Sequence, residues 1–328
     1  MRTGDAPWLA ARYESLKPKL LGERARADGL LASTDAQIKR GDIVDWPVGE
    51  RDGFDFKPVN TVVNAFHLRA LTLMAALARA VGKADEADGF DAQFRAKLAV
   101  FGEKLFDPAT GLYRDGEGSA HASLHANLFP LAFGLVPPER RAKIAQFLKA
   151  KGMACSVYAA QYLLEGLFEA GEADAALALI LAPGDRSWRH MVESGTTITW
   201  EAWDNKYKPN QDWNHAWGAA PANLLPRYVL GVWQTAKNSV RIAPNPSALK
   251  HAEGKLPTPL GPVTASWKNA GAFEMTFTLP PSMNAKVSLP LAGAGEVFAD
   301  GQAVKAVREN GRALVEGEWT GTHRFEVR

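Results

Sequence analysis

Val59-Asn60-Thr61-Val62-Val63-Asn64-Ala65-Phe66-His67-Leu68-Arg69-Ala70-Leu71-Thr72-Leu73-Met74-Ala75-Ala76-Leu77-Ala78-Arg79-Ala80-Val81 is the stretch that decides the fold. Its apolar positions Val62, Val63, Phe66, Leu68, Leu71, Met74 and Leu77 recur at helical spacing over about four turns, which predicts a long, heavily buried helix. Gly82 follows where a C-cap is expected. Asn60, Thr61 and Asn64 fall on one side of that helix, opposite the apolar positions, so Asn64 either lines a wet cavity or helps cap the helix.

Working outward, Trp8 through Leu21 reads as one helix, and further helices are predicted at about 86–104, 119–133, 138–151, 156–170, 172–181, 186–193 and 216–235. Gly171 suits a helix end and Pro137-Pro138 a helix start. Paired helices joined by short turns bury their apolar stripes only against one another, and concentric rings of helices, an α/α toroid, satisfy that requirement. The Trp, His and acidic residues gather in irregular segments, 41–58 and 194–215, where loops at one end of a helical scaffold would form a cleft.

After about residue 238 the pattern changes. Pro244, Pro246, Pro257, Pro259 and Pro262 forbid helix. Alternating runs follow at 263–267, 273–279, 285–289, 296–299 and 321–327, with Asp300-Gly301 and Asn310-Gly311 as hairpin turns. The expected organisation is a helical domain over 1–238 and a small antiparallel β-sandwich over 239–328.

A chain of 328 residues with 46% hydrophobic and 23% charged residues is an ordinary globular composition, long enough for two cores. The formal net charge is +2 and the Lys and Arg residues are dispersed, which argues against a nucleic-acid partner. The lone Cys155 excludes an internal disulfide and a Cys-based zinc site, and a buried thiol is expected. The first residues lack a signal-peptide core, and no run of about 18 apolar residues occurs, so the chain as written reads as cytoplasmic, without a membrane span.

Thr196-Thr197-Ile198-Thr199-Trp200-Glu201-Ala202-Trp203, followed by Asp212-Trp213-Asn214-His215-Ala216-Trp217, carries the chemistry. Indole faces stack on the C–H face of a pyranose, while carboxylate, amide and imidazole groups meet its hydroxyls. Glu201 is the candidate catalytic base; the plainer alternative pairs it with Lys206 or Lys208. Asp45-Trp46-Pro47-Val48-Gly49-Glu50-Arg51-Asp52-Gly53 is the second constellation. There Asp45 and Asp52 suit sugar hydroxyls with Arg51 fixing the loop, or Glu50 and Asp52 merely flank Arg51 in a surface ion pair. His121 and His125 share a metal-ligand spacing, but no third ligand accompanies them, and hydrogen-bonding roles are the better expectation. No phosphate loop, dinucleotide fingerprint or Gly-x-Ser-x-Gly elbow is present, and neither a cofactor nor a metal is expected.

Together, Asp45-Trp46-Pro47 with Arg51-Asp52-Gly53, Asn60-Thr61-Val62-Val63-Asn64-Ala65-Phe66, the Thr-Thr-x-x-Trp-Glu-x-Trp element at 196–203, Asn214-His215 and the tail from Leu256 resemble the bacterial α-L-rhamnosidases, a six-hairpin glycoside hydrolase family. The resemblance implies inverting release of terminal α-L-rhamnose, with Glu201 deprotonating the attacking water and Trp46, Trp200, Trp203 and His215 lining the sugar pocket. The family's general acid sits in an Asp- and Arg-rich segment ending in Trp-x-Gly-Asp, upstream of Arg24–Leu31. The chain therefore resembles the C-terminal part of such an enzyme, an incomplete (α/α)6 toroid followed by a β-domain. That implies a base without its acid, Glu50 or Asp52 as the nearest substitutes, and uncovered helix faces that self-association or a partner chain would complete.

Overall fold

The computed structural model describes residues 2–291 and 295–328. Its chain divides into two compact units, Ala6–Ala220 and a second formed by Pro221–Arg328 with the N-terminal segment up to Asp5.

The first unit is helical: α1 (Ala6–Leu16), α2 (Asp35–Lys39), α3 (Thr61–Ala80), α4 (Ala84–Leu105), α5 (Leu124–Ala132), α6 (Pro138–Lys151), α7 (Val157–Glu169), α8 (Ala173–Ile180) and α9 (Trp188–Glu193). A two-strand ribbon, β1 (Phe106–Asp107) and β2 (Leu112–Tyr113), joins α4 to α5. The hairpins α3/α4, α5/α6 and α7/α8 repeat one plan, and α5 packs on both α3 and α7. One helix of each hairpin is inner and the other outer. In α5 every residue from Leu124 to Leu131 is buried, whereas the 22-residue α4 buries only Ala87, Phe101 and Leu105. Phe66, Phe129, Phe133 and Tyr162 form the aromatic seam between the inner helices, with ring centroids 4.9–6.0 Å apart. Helix α3 is long and apolar enough to cross a membrane, yet 61% of its apolar window is buried within the protein, as in a core helix.

Each inner helix starts on a side-chain cap: Asn60 accepts from Val63 N, Ser123 from Ala126 N and Ser156 from Ala159 N. Because the hairpins are antiparallel, these capped ends share one end of the unit, and the irregular segments converge there. The helix expected over Trp8–Leu21 stops at Leu16. Pro18 cannot donate to an α-helical ladder, so a 3-10 turn over Lys17–Leu20 takes over, ending at Leu21 with φ 56°.

The chain departs from expectation over 216–235. In place of a helix over 216–235, a 3-10 turn (Ala216–Ala219), the short α10 (Ala220–Leu224) and a π turn (Leu225–Val229) give way to strand β3 (Val232–Ala236). Gly231 explains the switch: at φ 82° its α-carbon lies against the Pro244 backbone, where a Cβ would come within 2.2 Å of Pro244 N. The remaining strands are β4 (Ser239–Ile242), β5 (His251–Leu256), β6 (Val263–Ala270), β7 (Ala272–Thr278), β8 (Asn284–Pro290), β9 (Val297–Ala299), β10 (Gln302–Ala303), β11 (Ala306–Glu309), β12 (Arg312–Val315) and β13 (Thr322–Val327).

They form a six-stranded sheet, β10-β9-β13-β7-β6-β5, and a five-stranded sheet, β11-β12-β8-β4-β3. Period-2 alternation sends Val263, Ala265, Trp267, Phe273, Met275 and Phe277 inward and leaves Ser266, Lys268, Thr276 and Thr278 exposed. Asp300-Gly301 and Asn310-Gly311 make the two hairpin turns, all four residues at positive φ. The five-stranded sheet is mixed, because β4 and β8 run parallel, which corrects the wholly antiparallel expectation. In β8 the apolar Ala285, Val287 and Leu289 are buried at alternate positions, with Ser288 also buried and Lys286 exposed. Burial, with Arg241 nearby, pulls the Arg312 guanidinium down to about 10, and five hydrogen bonds to Pro244, Asn245 and Ser288 hold it in place.

Candidate active site

Glu201 lies in the irregular run between α9 and the 3-10 turn at Ala216, which folds back on itself through Glu201 N to Asp212 O (3.0 Å) and His215 N to Thr199 O (3.1 Å). Trp217 Nε1 donates to Glu201 O at 2.9 Å, fixing the residue from a third direction. The Glu201 side chain is 10% exposed and that of Lys208 13%, and their charged ends meet at 2.7 Å. Asp212 N–H donates to the same carboxylate oxygen, Oε2, at 2.9 Å. Oε1 accepts no hydrogen bond from any described residue.

Burial alone would raise the Glu201 carboxyl. The Lys208 ammonium, the Asp212 N–H and the nearby His215 outweigh it and hold the group below the ordinary glutamate value, ionised at neutral pH. The plainer alternative, pairing with a lysine, is thus present, and it is Lys208 that pairs. Lys206 is drawn instead to Asp185.

The indoles divide by burial. Trp213 is 51% exposed, packed edge-to-face on Trp200 with centroids 4.8 Å apart. Trp200 is itself buried, its Nε1 donating to Thr196 Oγ1. Trp203 is fully buried, donates to Cys155 O at 2.7 Å and stands perpendicular to Trp188, so it belongs to the core beneath the site. His215 caps the 3-10 turn, accepting from Trp217 N, and lies against the Trp217 ring at 4.1 Å. The most exposed indole of this segment is therefore Trp213, which the sequence-derived pocket set does not include.

The second constellation is built differently. Asp45 accepts from Trp46 N (2.8 Å) and, among buried groups, from Ser156 N (2.9 Å), Ser156 Oγ (2.5 Å) and His125 Nε2 (2.7 Å). Its carboxylate closes the N-terminus of α7, where a negative charge meets the unpaired N–H groups. Asp52 does the same for α5, accepting from Leu124 N at 2.7 Å and pairing with Lys151 at 2.9 Å. Asp115 accepts from Ser123 N, and Asp42 from the Asn60 amide of the α3 cap. Arg51 is buried and donates to Asp45 O. The Asn64 amide is spent on Leu31 N, Leu31 O and Asn60 O, the caretaking of a neighbouring loop. The indole of this loop, Trp46, is 51% exposed.

Glu50 is buried and bound by both arms of Arg186, the Nη2 contact being 3.0 Å. Burial raises the Glu50 carboxyl and opposes the Arg186 charge, while the paired bonds favour both ions; two carboxylate oxygens on one guanidinium are satisfied only as an ion pair. Neither Glu50 nor Asp52 offers a free carboxyl to a leaving group. Burial likewise pushes the Cys155 thiol well up, as expected of an inert core cysteine.

The two constellations are brought to a common backbone segment. Arg186 donates to Met153 O and Cys155 O, Trp203 to Cys155 O, and Asp45 accepts from Ser156. His121 and His125 are not on one helix: His121 precedes α5 and binds Asp115 at 2.6 Å, whereas His125 within α5 faces Asp45. Glu201, Asp212 and His215 bring potential ligand atoms within 4.8 Å of one another, but the Lys208 ammonium already supplies the positive charge at Glu201.

Comparison with known proteins agrees with this architecture. The bacterial α-L-rhamnosidase six-hairpin glycosidase domain matches residues 1–229, and the C-terminal domain of the same enzymes matches residues 233–303. The chain belongs to the bacterial α-L-rhamnosidase family. It is 25% identical over 315 residues to the α-L-rhamnosidase of Alteromonas sp. (strain LOR), covering 88% of this chain and 33% of that protein. Over 340 residues it is 25% identical to the α-L-rhamnosidase of Streptomyces avermitilis, covering 99% and 31%. The chain thus spans about a third of the length of these relatives. Among solved structures, the α-L-rhamnosidase of Dictyoglumus thermophilum superposes with a TM-score of 0.79 at 19% identity, over 100% of this chain and 38% of that one. A rhamnosidase of Bacillus sp. GL1 gives 0.74 at 27% identity, over 88% and 31%.

Proposed function

We propose that this chain forms the C-terminal part of an inverting α-L-rhamnosidase, an incomplete (α/α)6 toroid followed by a β-sandwich, with Glu201 as the general base. The observation that carries this reading is an ionised carboxylate anchored through Oε2, whose Oε1 accepts no hydrogen bond from any described residue, in the loop that also carries the exposed Trp213. A terminal rhamnose stacked on that indole would present its anomeric carbon to a water held at Oε1, and Glu201 would take the water's proton as it attacks. Of the other sequence-derived candidates, His215 and the exposed Trp46 are on this reading assigned to sugar contact, and Asp45, Arg51, Asp52, Asn64, Trp200 and Trp203 to holding the loops.

Inversion needs a second carboxyl about 6.5–9.5 Å from the base, leaving room for water. Asp212, whose oxygen lies within 4.8 Å of the Glu201 oxygen, is too near for that task. The acid is therefore proposed to come from the portion of the family fold that this chain does not span, and a carbohydrate is the partner.

The test is release of fluoride from α-L-rhamnosyl fluoride, whose leaving group needs no proton. The chain is expected to release it, and Glu201→Gln to lose about 100-fold or more. Equal rates for both proteins would sink the base assignment. A second reading, sugar binding without turnover, is favoured by the locked state of Glu50 and Asp52. Calorimetric binding of L-rhamnose with no fluoride release would decide for it.

A further inference from the structure

Lys208 is not explained by packing. Its loop is anchored without it: Tyr207 N donates to Asp204 O, the Tyr207 hydroxyl reaches Asp185 at 3.1 Å, and the Arg186 guanidinium lies 4.1 Å over the Tyr207 ring. From that fixed base the Lys208 side chain turns inward, donating to Asn210 O at 3.0 Å and to Glu201 Oε2 at 2.7 Å. The Asp212 N–H arrives at the same oxygen from the returning strand of the loop. Both donors fall on one oxygen, so rotation of the carboxylate would break both bonds.

Resting on the reading of Glu201 as the base, we infer that Lys208 is the positioning residue of this site: with the Asp212 N–H it holds Glu201 Oε2 and so assigns Oε1 to the attacking water. Lys208 touches no reacting atom. It keeps Glu201 in one orientation and supplies the cation that opposes the upward pull of burial on this carboxyl. The other charged or titratable groups facing Glu201 are Asp212 and His215, and Asp212 is exposed to solvent. The arrangement also ties the base mechanically to the far loop, through Tyr207, Arg186 and the buried Glu50.

The experiment follows the Glu201 side-chain carboxyl by carbon NMR titration in the whole chain, in parallel with the pH profile of fluoride release from α-L-rhamnosyl fluoride. In Lys208→Met the Glu201 midpoint is expected to rise by about one unit or more. The acid limb of kcat/KM should rise with it, while KM stays within about twofold, because the sugar contacts are untouched. Lys208→Arg should restore both. Lys208→Gln serves in place of the Met variant should that protein fail to fold. A Met or Gln variant with the wild-type midpoint overturns the proposal. The NMR titration decides this without turnover, so its failure is distinct from failure of the base assignment, which shows as equal fluoride release by wild type and Glu201→Gln.

Discussion

The loops at 41–53 and 194–217 have nearly the same chemistry in sequence and opposite roles in space. Each combines carboxylates with indole, yet Asp45, Glu50 and Asp52 accept hydrogen bonds from helix N-termini, Arg186 and Lys151, while Glu201 keeps one oxygen open. The difference lies in what surrounds them. Residues 41–53 run over the N-termini of α5 and α7, and a helix N-terminus offers unpaired N–H groups that a carboxylate satisfies better than water does once the site is buried. Residues 194–217 meet no such end except their own 3-10 turn, which His215 caps. Glu201 there meets one backbone N–H and one lysine, both on Oε2.

This contrast makes the largest predicted effects structural. Asp45→Ala removes the shared acceptor of Ser156 and His125 and should lower the unfolding free energy by about 3–5 kcal/mol in urea titrations followed by tryptophan fluorescence. Trp203→Ala should cost a similar amount, about 3–5 kcal/mol, by opening a cavity under the site. A loss below about 1 kcal/mol in either would place that residue in the cleft and not in the frame.

Acid should weaken the frame before it silences the base. His67 in α3 donates from Nδ1 to Leu20 O and faces the Lys97 ammonium, and burial followed by Lys97 lowers it from 6.5 to about 4. Below pH 6.5 the unfolded chain takes up this proton first. The stability contributed by neutral His67 is therefore complete above that pH and is lost as pH falls toward 4, by about 2–3 kcal/mol. Urea midpoints at pH 7 and pH 4.5 measure it, and His67→Gln should flatten the difference.

Smaller effects separate the loops further. Asp52→Asn, which loses the Lys151 pair but keeps an acceptor for Leu124 N, should cost about 1 kcal/mol. Trp213→Ala should change stability by less than about 0.5 kcal/mol. It should nevertheless weaken L-rhamnose binding by about 2–10-fold, as loss of a stacking face does. Unchanged calorimetric affinity would remove Trp213 from the site.

Much of the frame was legible because its signals are local. The apolar recurrence from Val62 to Leu77, Gly82 and Gly171 at helix ends, and the Asp300-Gly301 and Asn310-Gly311 turns all act within a few residues of themselves. The strand at Val232–Ala236 was not legible, since its hydrophobic spacing also suits a helix and its partners, β4 and the Gly231–Pro244 contact, are tertiary. Site residues were harder. Sequence spacing marks Glu201 and its aromatic neighbours, but Trp203 and Trp213 carry the same side chain in the same stretch, and nothing local says that one is buried and the other open.

The helical hairpins, the later β-region, the family resemblance and Glu201 as the candidate base are all written in the chain, because periodicity and motif spacing are local properties. Tertiary structure alone decided which carboxylates are spent on helix ends and which indole faces solvent. It also decided that Lys208, not Lys206, holds Glu201. Those outcomes depend on where groups distant in sequence meet, and a hydrogen bond across 111 residues, such as Ser156 to Asp45, leaves no mark on the residues beside either end.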